Sequence, residues 1–195
     1  MEKTMGTRPT SRVRAMVECA MLLAAYMVLS RIKFLHMPQG GDITPASSLP
    51  LLMIGYRHGA KWAGLAAIAS SLLSMLLDGF YAPPAGTVTA LVLCLLLDYF
   101  VADFAIVSAA GVNHFLGEKN MVTLAVSVAV SQALHFLSVF TSGFLLWGSY
   151  APEGMGAVYY SFMYNGSYCL PEGILTVVVA LALFRTAPRL FSRQA

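Results

Sequence analysis

The chain has 195 residues, of which 58% are hydrophobic and only 11% charged, against about 25% charged in an ordinary soluble domain. With a mean hydropathy of +0.72, this balance excludes disorder and argues against a soluble domain. The net charge of +3 rests on 12 basic residues set mostly at chain ends and short loops, so no basic face remains to track phosphates and no nucleic-acid partner is expected. Cys19, Cys94 and Cys169 lie in apolar runs without CxxC spacing. They suggest neither a disulfide framework nor a zinc site, and they read as small buried apolar residues.

A bilayer core about 30 Å thick needs roughly 20 apolar residues per helical crossing. Val13 to Leu29 forms one such stretch, broken only by Glu18. Between Lys33 and Arg57 a Pro/Gly-rich loop precedes Ser47 to Tyr56, which predicts a short second helix. Neither Trp62 to Glu118 nor Asn120 to Phe184 contains a Lys or Arg. Each interval is long enough for two crossings and holds one polar break, Asp78-Gly-Phe-Tyr-Ala-Pro-Pro in the first and Gly148-Ser-Tyr-Ala-Pro-Glu-Gly in the second. The expected fold is therefore an all-α integral membrane protein with six transmembrane helices. Residues 1–12 form a cytoplasmic tail and residues 13–190 a single membrane bundle.

The basic residues test that count independently. Lys3, Arg8, Arg12, Arg14, Arg57, Lys61, Lys119, Arg185, Arg189 and Arg193 fall on the side of the termini, and only Arg31 and Lys33 fall opposite. Under the positive-inside rule both termini are cytoplasmic and the chain is a multi-pass plasma-membrane protein. A cleaved signal peptide over residues 1–30 would leave five spans and break this asymmetry.

Charged and imidazole groups at membrane depth cost about 2.5 to 3.5 kcal/mol each on insertion scales, so each raises a functional question. Asp98 lies well inside the fourth crossing beside Tyr99, and Asp103 lies nearer its cytoplasmic end, where a solvated or structural role is expected. His135 lies in the fifth crossing, as a binding group or a packing residue. Glu172 follows Pro171 in the sixth, where it can bond backbone freed by the proline. Aromatic residues gather toward the outer half: Phe80, Tyr81, Trp147, Tyr150, Tyr159, Tyr160 and Tyr164. They read either as an interfacial belt or as a cage which, with Asp98 as counter-charge, would hold an organic cation. No enzyme reading holds. Ser138 and Ser142 lie near His135 but no glycine-flanked nucleophile serine is present, Asp78-Gly lacks a phosphotransferase pattern, and there is no Walker motif. Any ATP-driven step needs another subunit.

Several segments resemble a known family. His36-Met-Pro-Gln-Gly-Gly-Asp-Ile-Thr, Leu49-Pro-Leu-Leu, Tyr56-Arg-His-Gly, Leu97-Asp-Tyr and the run from Trp147 to Gly166 are similar, in order and spacing, to the thiamine-specific substrate-binding subunits (S components) of energy-coupling factor transporters. The resemblance covers residues 11–190. It implies thiamine, or a close analogue, as ligand, and as partners a transmembrane coupling protein with two ATPase subunits. It further implies Asp98 in place of a family glutamate, Tyr99 beside it, Trp147 and Tyr160 as stacking walls, Asn165 as a reader of the pyrimidine, Tyr81 in the outer loop, and residues 38–45 as a gating loop. Two departures stand out. The family's fifth-crossing histidine is Val139 here, with His135 one turn earlier, and Asp98 is one methylene shorter than glutamate. The resemblance also gives Ala20 and Ala24 in the first helix to docking on the coupling protein. Ala63 and Ala67 share that small-xxx-small spacing and are equally open to internal packing. The competing reading is a self-sufficient carrier that uses Asp98, His135 or Glu172 for protons.

Overall fold

The computed structural model describes residues 12–117 and 120–193. The tail over residues 1–11, with Lys3 and Arg8, lies outside the described residues, as does Lys119. Helix α1 (Arg12–Leu29) leads into a short antiparallel hairpin, β1 (Leu35–His36) and β2 (Asp42–Ile43), with Leu35 opposite Ile43 and His36 opposite Asp42. Helices α2 (Ser48–His58), α3 (Ala60–Asp78), α4 (Val88–Phe115), α5 (Met121–Leu146) and α6 (Ala157–Thr186) follow. Of these, α3 to α6 are long and apolar enough to cross a membrane. Helix α1 carries Arg12, Arg14 and Glu18, and α2 has only 11 residues.

The breaks fall where the polar segments predict them. Gly59 takes a positive φ of 82° and turns α2 directly into α3. Thr87 caps α4 by accepting a hydrogen bond from the Ala90 amide, and Asn120 caps α5 in a reciprocal pair with Thr123. Pro171 is accommodated inside α6.

The distribution of polarity is the reverse of a soluble bundle. Leu65, Leu76, Leu137, Leu145 and Leu170 face outward, whereas Ser70, Ser71, Ser127, Ser131, Ser142 and Ser161 are fully buried. Small hydroxylic residues let helix backbones approach and satisfy their own polar groups on nearby carbonyls, as Ser127 does on Leu124 and Ser131 on Val128. This is packing for a lipid surround, where an apolar exterior costs nothing.

Helix α2 is buried from Ser48 to Tyr56 around its whole circumference, as expected where Leu49 to Ile54 are apolar on every face. Its Leu51, Leu52 and Ile54 pack with Ala66, Ala67, Ile106, Val128 and Ala180 to fill one end of the bundle. Ala63 and Ala67 belong to this interior, while Ala20 and Ala24 on α1 are exposed. The shared spacing thus resolves into one internal pair and one free pair. The same end is tied by Glu18, which sits 3.0 Å from Arg57 Nη2 and 2.9 Å from His58 Nε2, joining α1 to α2.

Candidate functional site

At the other end α4, α5 and α6 diverge and the hairpin folds over them, enclosing a cavity of about 310 Å³, within the range of small-molecule sites. Helix α4 supplies its acidic wall. Over Leu95–Val101 the helix widens into a π-helix, a rare winding found mostly at functional sites, and Asp98 lies at its middle. Ser138 Oγ donates to the Leu97 carbonyl at 2.6 Å, and His135 Nδ1 lies 3.2 Å from the Ala102 carbonyl. Helix α5 therefore braces the backbone on both sides of the acid. Since a carbonyl only accepts, His135 carries its proton on Nδ1 and turns Nε2 elsewhere.

Asp98 is held through one oxygen. Its Oδ2 accepts from Ser142 Oγ at 2.7 Å, Cys94 Sγ at 3.3 Å and Trp147 Nε1 at 3.3 Å. Among the described residues Oδ1 has no hydrogen bond, and Asp98 lines the cavity. Cys94 is thus more than an apolar filler: buried at the base of α4, it donates to the carboxylate and lies 3.4 Å from the Tyr81 carbonyl. Trp147 stacks on Tyr150 with centroids 6.1 Å apart. Tyr99 stacks on Phe80 at 5.7 Å, and its hydroxyl oxygen accepts from the Tyr81 backbone amide at 3.2 Å, which ties the α3–α4 loop to the cavity wall.

The wall from α6 is a ladder of tyrosines. Tyr160, Tyr164 and Tyr168 repeat at four-residue steps, so they share a face, with ring centroids 5.7 and 6.2 Å apart. The sequence reading placed Tyr160 in the site and Tyr164 among the aromatics of a possible cage but missed Tyr168, although the i, i+4 repeat marked it. Tyr159, by contrast, faces outward. Asn165 lines the cavity but is buried and committed within the protein. Its Nδ2 donates to Ser161 O and Oγ, both at 3.0 Å, and its Oδ1 accepts from Tyr168 OH at 2.6 Å. This cluster presses on α5 at Gly143, where any Cβ would collide with Ser161 Oγ and Asn165 Nδ2. Val139, at the family's histidine position, is a buried cavity residue one turn from His135.

The hairpin is fastened by side chains from α6. The Gln39 amide donates to Tyr164 OH at 2.8 Å, and Tyr164 OH in turn donates to Gly40 O at 3.0 Å. Glu172 accepts from the Thr44 amide at 2.7 Å and from Thr44 Oγ1 at 2.8 Å. Glu172 thus bonds loop backbone far away in sequence, not the helix backbone freed by Pro171. Gly40 and Gly41 take φ values of 92° and 93°, and a Cβ on Gly41 would enter the Tyr168 ring, so this turn needs glycine both for its winding and for its contact. Within the hairpin Asp42 pairs with His36 Nδ1 at 2.5 Å and with Lys33 Nζ at 2.9 Å, while Arg31 pairs with Asp78 of α3. Of the solvated and structural roles open to Asp103, the solvated one does not hold: it is buried, and its Oδ2 accepts from Ser70 at 2.6 Å and Ser71 at 2.9 Å, which ties α4 to α3.

The site therefore joins Asp98, Tyr99, Tyr81, His135, Trp147, Tyr160 and Asn165 around one cavity, and leaves Ala20 and Ala24 outside it on α1. Among the described residues no group of three or more His, Cys, Asp or Glu side chains could hold a metal ion.

Comparison with known proteins agrees with this architecture. The model of the thiamine transporter protein family matches residues 16–192. The thiamine transporter ThiT of Bacillus subtilis is 31% identical over 186 residues, spanning 90% of this chain and 92% of its own. ThiT of Lacticaseibacillus paracasei is 42% identical over a shorter stretch of 52 residues, 27% of this chain and 26% of its own. The solved structure of ThiT from Listeria monocytogenes superposes with a TM-score of 0.74 at 25% identity, covering 94% of this chain and 100% of that one. These relatives are named transporters, not enzymes, and with its long apolar helices the chain is a multi-pass membrane protein that belongs to the thiamine transporter family.

Proposed function

We propose that the chain is the thiamine-capturing S component of an ATP-driven uptake system of the energy-coupling factor type, a single membrane domain with six crossings and both ends cytoplasmic. It captures the vitamin from outside in the cavity under the hairpin and releases it inside when docked on a coupling protein that carries two ATPase subunits. The observation that carries this reading is the arrangement at Asp98: a carboxylate whose contacts all fall on Oδ2, set beside the Trp147 ring on the wall of the cavity. That combination suits a flat organic cation, because the ring quadrupole and the carboxylate both attract positive charge.

In this reading Asp98 is the counter-charge, and Trp147 and Tyr160 stack against the ligand rings. Tyr99 and Tyr81 form the rim, His135 supports the acidic wall, and Asn165, whose amide hydrogens go to Ser161, meets the pyrimidine through the remaining acceptor capacity of its Oδ1. Ala20 and Ala24 form the docking face. Their exposure, against the burial of Ala63 and Ala67, supports a role toward another helix. The ties of His135 to Ala102 and of Glu172 to Thr44 favour a binding subunit over a proton carrier.

Mass spectrometry of ligand co-purified with the isolated protein, combined with uptake assays in liposomes, tests the proposal. Thiamine should be recovered unaltered, and uptake should require the coupling module and ATP. Uptake by the isolated chain driven by a proton gradient would instead establish the self-sufficient carrier.

A further inference from the structure

The cavity has a second acidic residue with one oxygen unengaged. Asp103 is 7% exposed, and both serine bonds from α3 fall on Oδ2. Among the described residues its Oδ1 has no hydrogen bond, yet that atom is not among the fully enclosed side-chain polar atoms that lack one. Asp103 lines the same cavity as Asp98, together with Tyr26 and Ser74 from α1 and α3, so Oδ1 opens into it.

Winding explains how the two acids share a cavity. Five residues along a regular α-helix turn the chain by about 500°, leaving side chains about 140° apart. A π-helix bonds i to i+5 and turns through fewer degrees per residue, which brings such residues closer to one side. The π-stretch Leu95–Val101 contains Asp98 and ends two residues before Asp103, so it turns the two carboxylates toward a common side. At about 1.5 Å of rise per residue they stand roughly 7 Å apart along the axis.

We propose that Asp103 Oδ1 is an inner anchor of the binding cavity, accepting a hydrogen bond from an aromatic amine at the end of the ligand remote from the cationic ring that faces Asp98. The inference rests on the thiamine reading, since thiamine carries both groups: a thiazolium and an aminopyrimidine. A carboxylate at this depth with an open oxygen costs free energy unless a donor meets it. A ligand with a donor at that end removes the penalty, and one without it leaves Oδ1 unpaired. The cavity thereby selects for two features at once, charge at Asp98 and a donor at Asp103.

The test is titration of purified protein with thiamine and with the analogue in which hydrogen replaces the pyrimidine amine, for the natural chain, Asp103→Asn and Asp103→Ser. Asn keeps an acceptor for Ser70 and Ser71 but presents an amide donor to the cavity, and Ser serves as the smaller alternative should Asn disturb folding. Thiamine binding should weaken about tenfold or more in the variants, while the des-amino analogue binds natural and variant proteins within about twofold of one another. Equal losses for both ligands would make Asp103 a helix brace only and overturn the inference, as would undiminished thiamine binding in both variants. If the natural chain binds the analogue as tightly as thiamine, the anchor is likewise refuted while the thiamine reading survives. Absence of any thiamine binding by the natural chain would sink that reading, and this inference with it.

Discussion

At the scale of single residues, the carboxylate of Asp98 is fixed by Ser142, Cys94 and Trp147 so that its remaining oxygen has one direction to offer. Asp98→Asn should weaken thiamine binding by about 1 to 3 kcal/mol, because a neutral amide no longer complements a desolvated cation. Quenching of Trp147 fluorescence in a Trp62→Phe background, which leaves one of the two tryptophans, measures this directly. Unchanged affinity would remove Asp98 from the site. Gly143→Ala makes a different demand: the new methyl group must push Ser161 and Asn165 off α5. It should destabilise the fold by about 1 to 3 kcal/mol, seen as a lower midpoint of thermal unfolding in detergent, without a change in charge selectivity.

Helices and loops carry the next set of consequences, and here the sequence was partly readable. Helix limits followed from runs without charge and from capping residues such as Thr87 and Asn120, whose chemistry is local. Asp98 and Trp147 stood out because a charge at membrane depth and an indole at a helix end are conspicuous in a chain that is otherwise apolar. The π-winding at Leu95–Val101 left no trace, since its residues are ordinary helix formers and the extra residue per turn is stabilised from outside, by Ser138 on Leu97 and His135 on Ala102. The role of Glu172 was equally hidden, because its partner Thr44 lies 128 positions away. The latch can be tested. Glu172→Gln combined with Thr44→Val should release the hairpin and speed thiamine dissociation in stopped-flow measurements by about tenfold, as the hydroxyl bond is lost and the backbone amide keeps only a neutral acceptor. Dissociation at the natural rate would show that Tyr164 alone secures the loop.

For the whole molecule the predictions concern orientation and partnership. The proposal of two cytoplasmic ends predicts that a cysteine at Ser149, which is exposed, reacts with a membrane-impermeant reagent added outside, and that one at His114, also exposed, does not. The reverse labelling pattern would invert the topology. Ala20→Trp with Ala24→Trp places two large rings on an exposed stretch of α1, so the purified protein should bind thiamine normally yet fail to co-purify with the coupling module or support uptake. A small-residue seam works by close backbone approach, and one bulky turn removes it. Full uptake by this double variant would remove the docking face from α1.

The brevity of α2 has a further consequence. Eleven residues rise only about 16 Å, half of a hydrocarbon layer about 30 Å thick, so in the six-crossing arrangement the chain between α1 and α2 dips below the lipid surface as a re-entrant segment. Non-helical backbone survives at such depth only when protein supplies every bond that water would otherwise make. Tyr164 for Gln39 and Gly40, and Glu172 for Thr44, provide those bonds. A costly carboxylate in α6 is thereby explained without any proton traffic. In this arrangement the hairpin leaves these partners toward water and not sideways into acyl chains, so hydration and opening are a single event: the segment moves outward as solvent enters behind it.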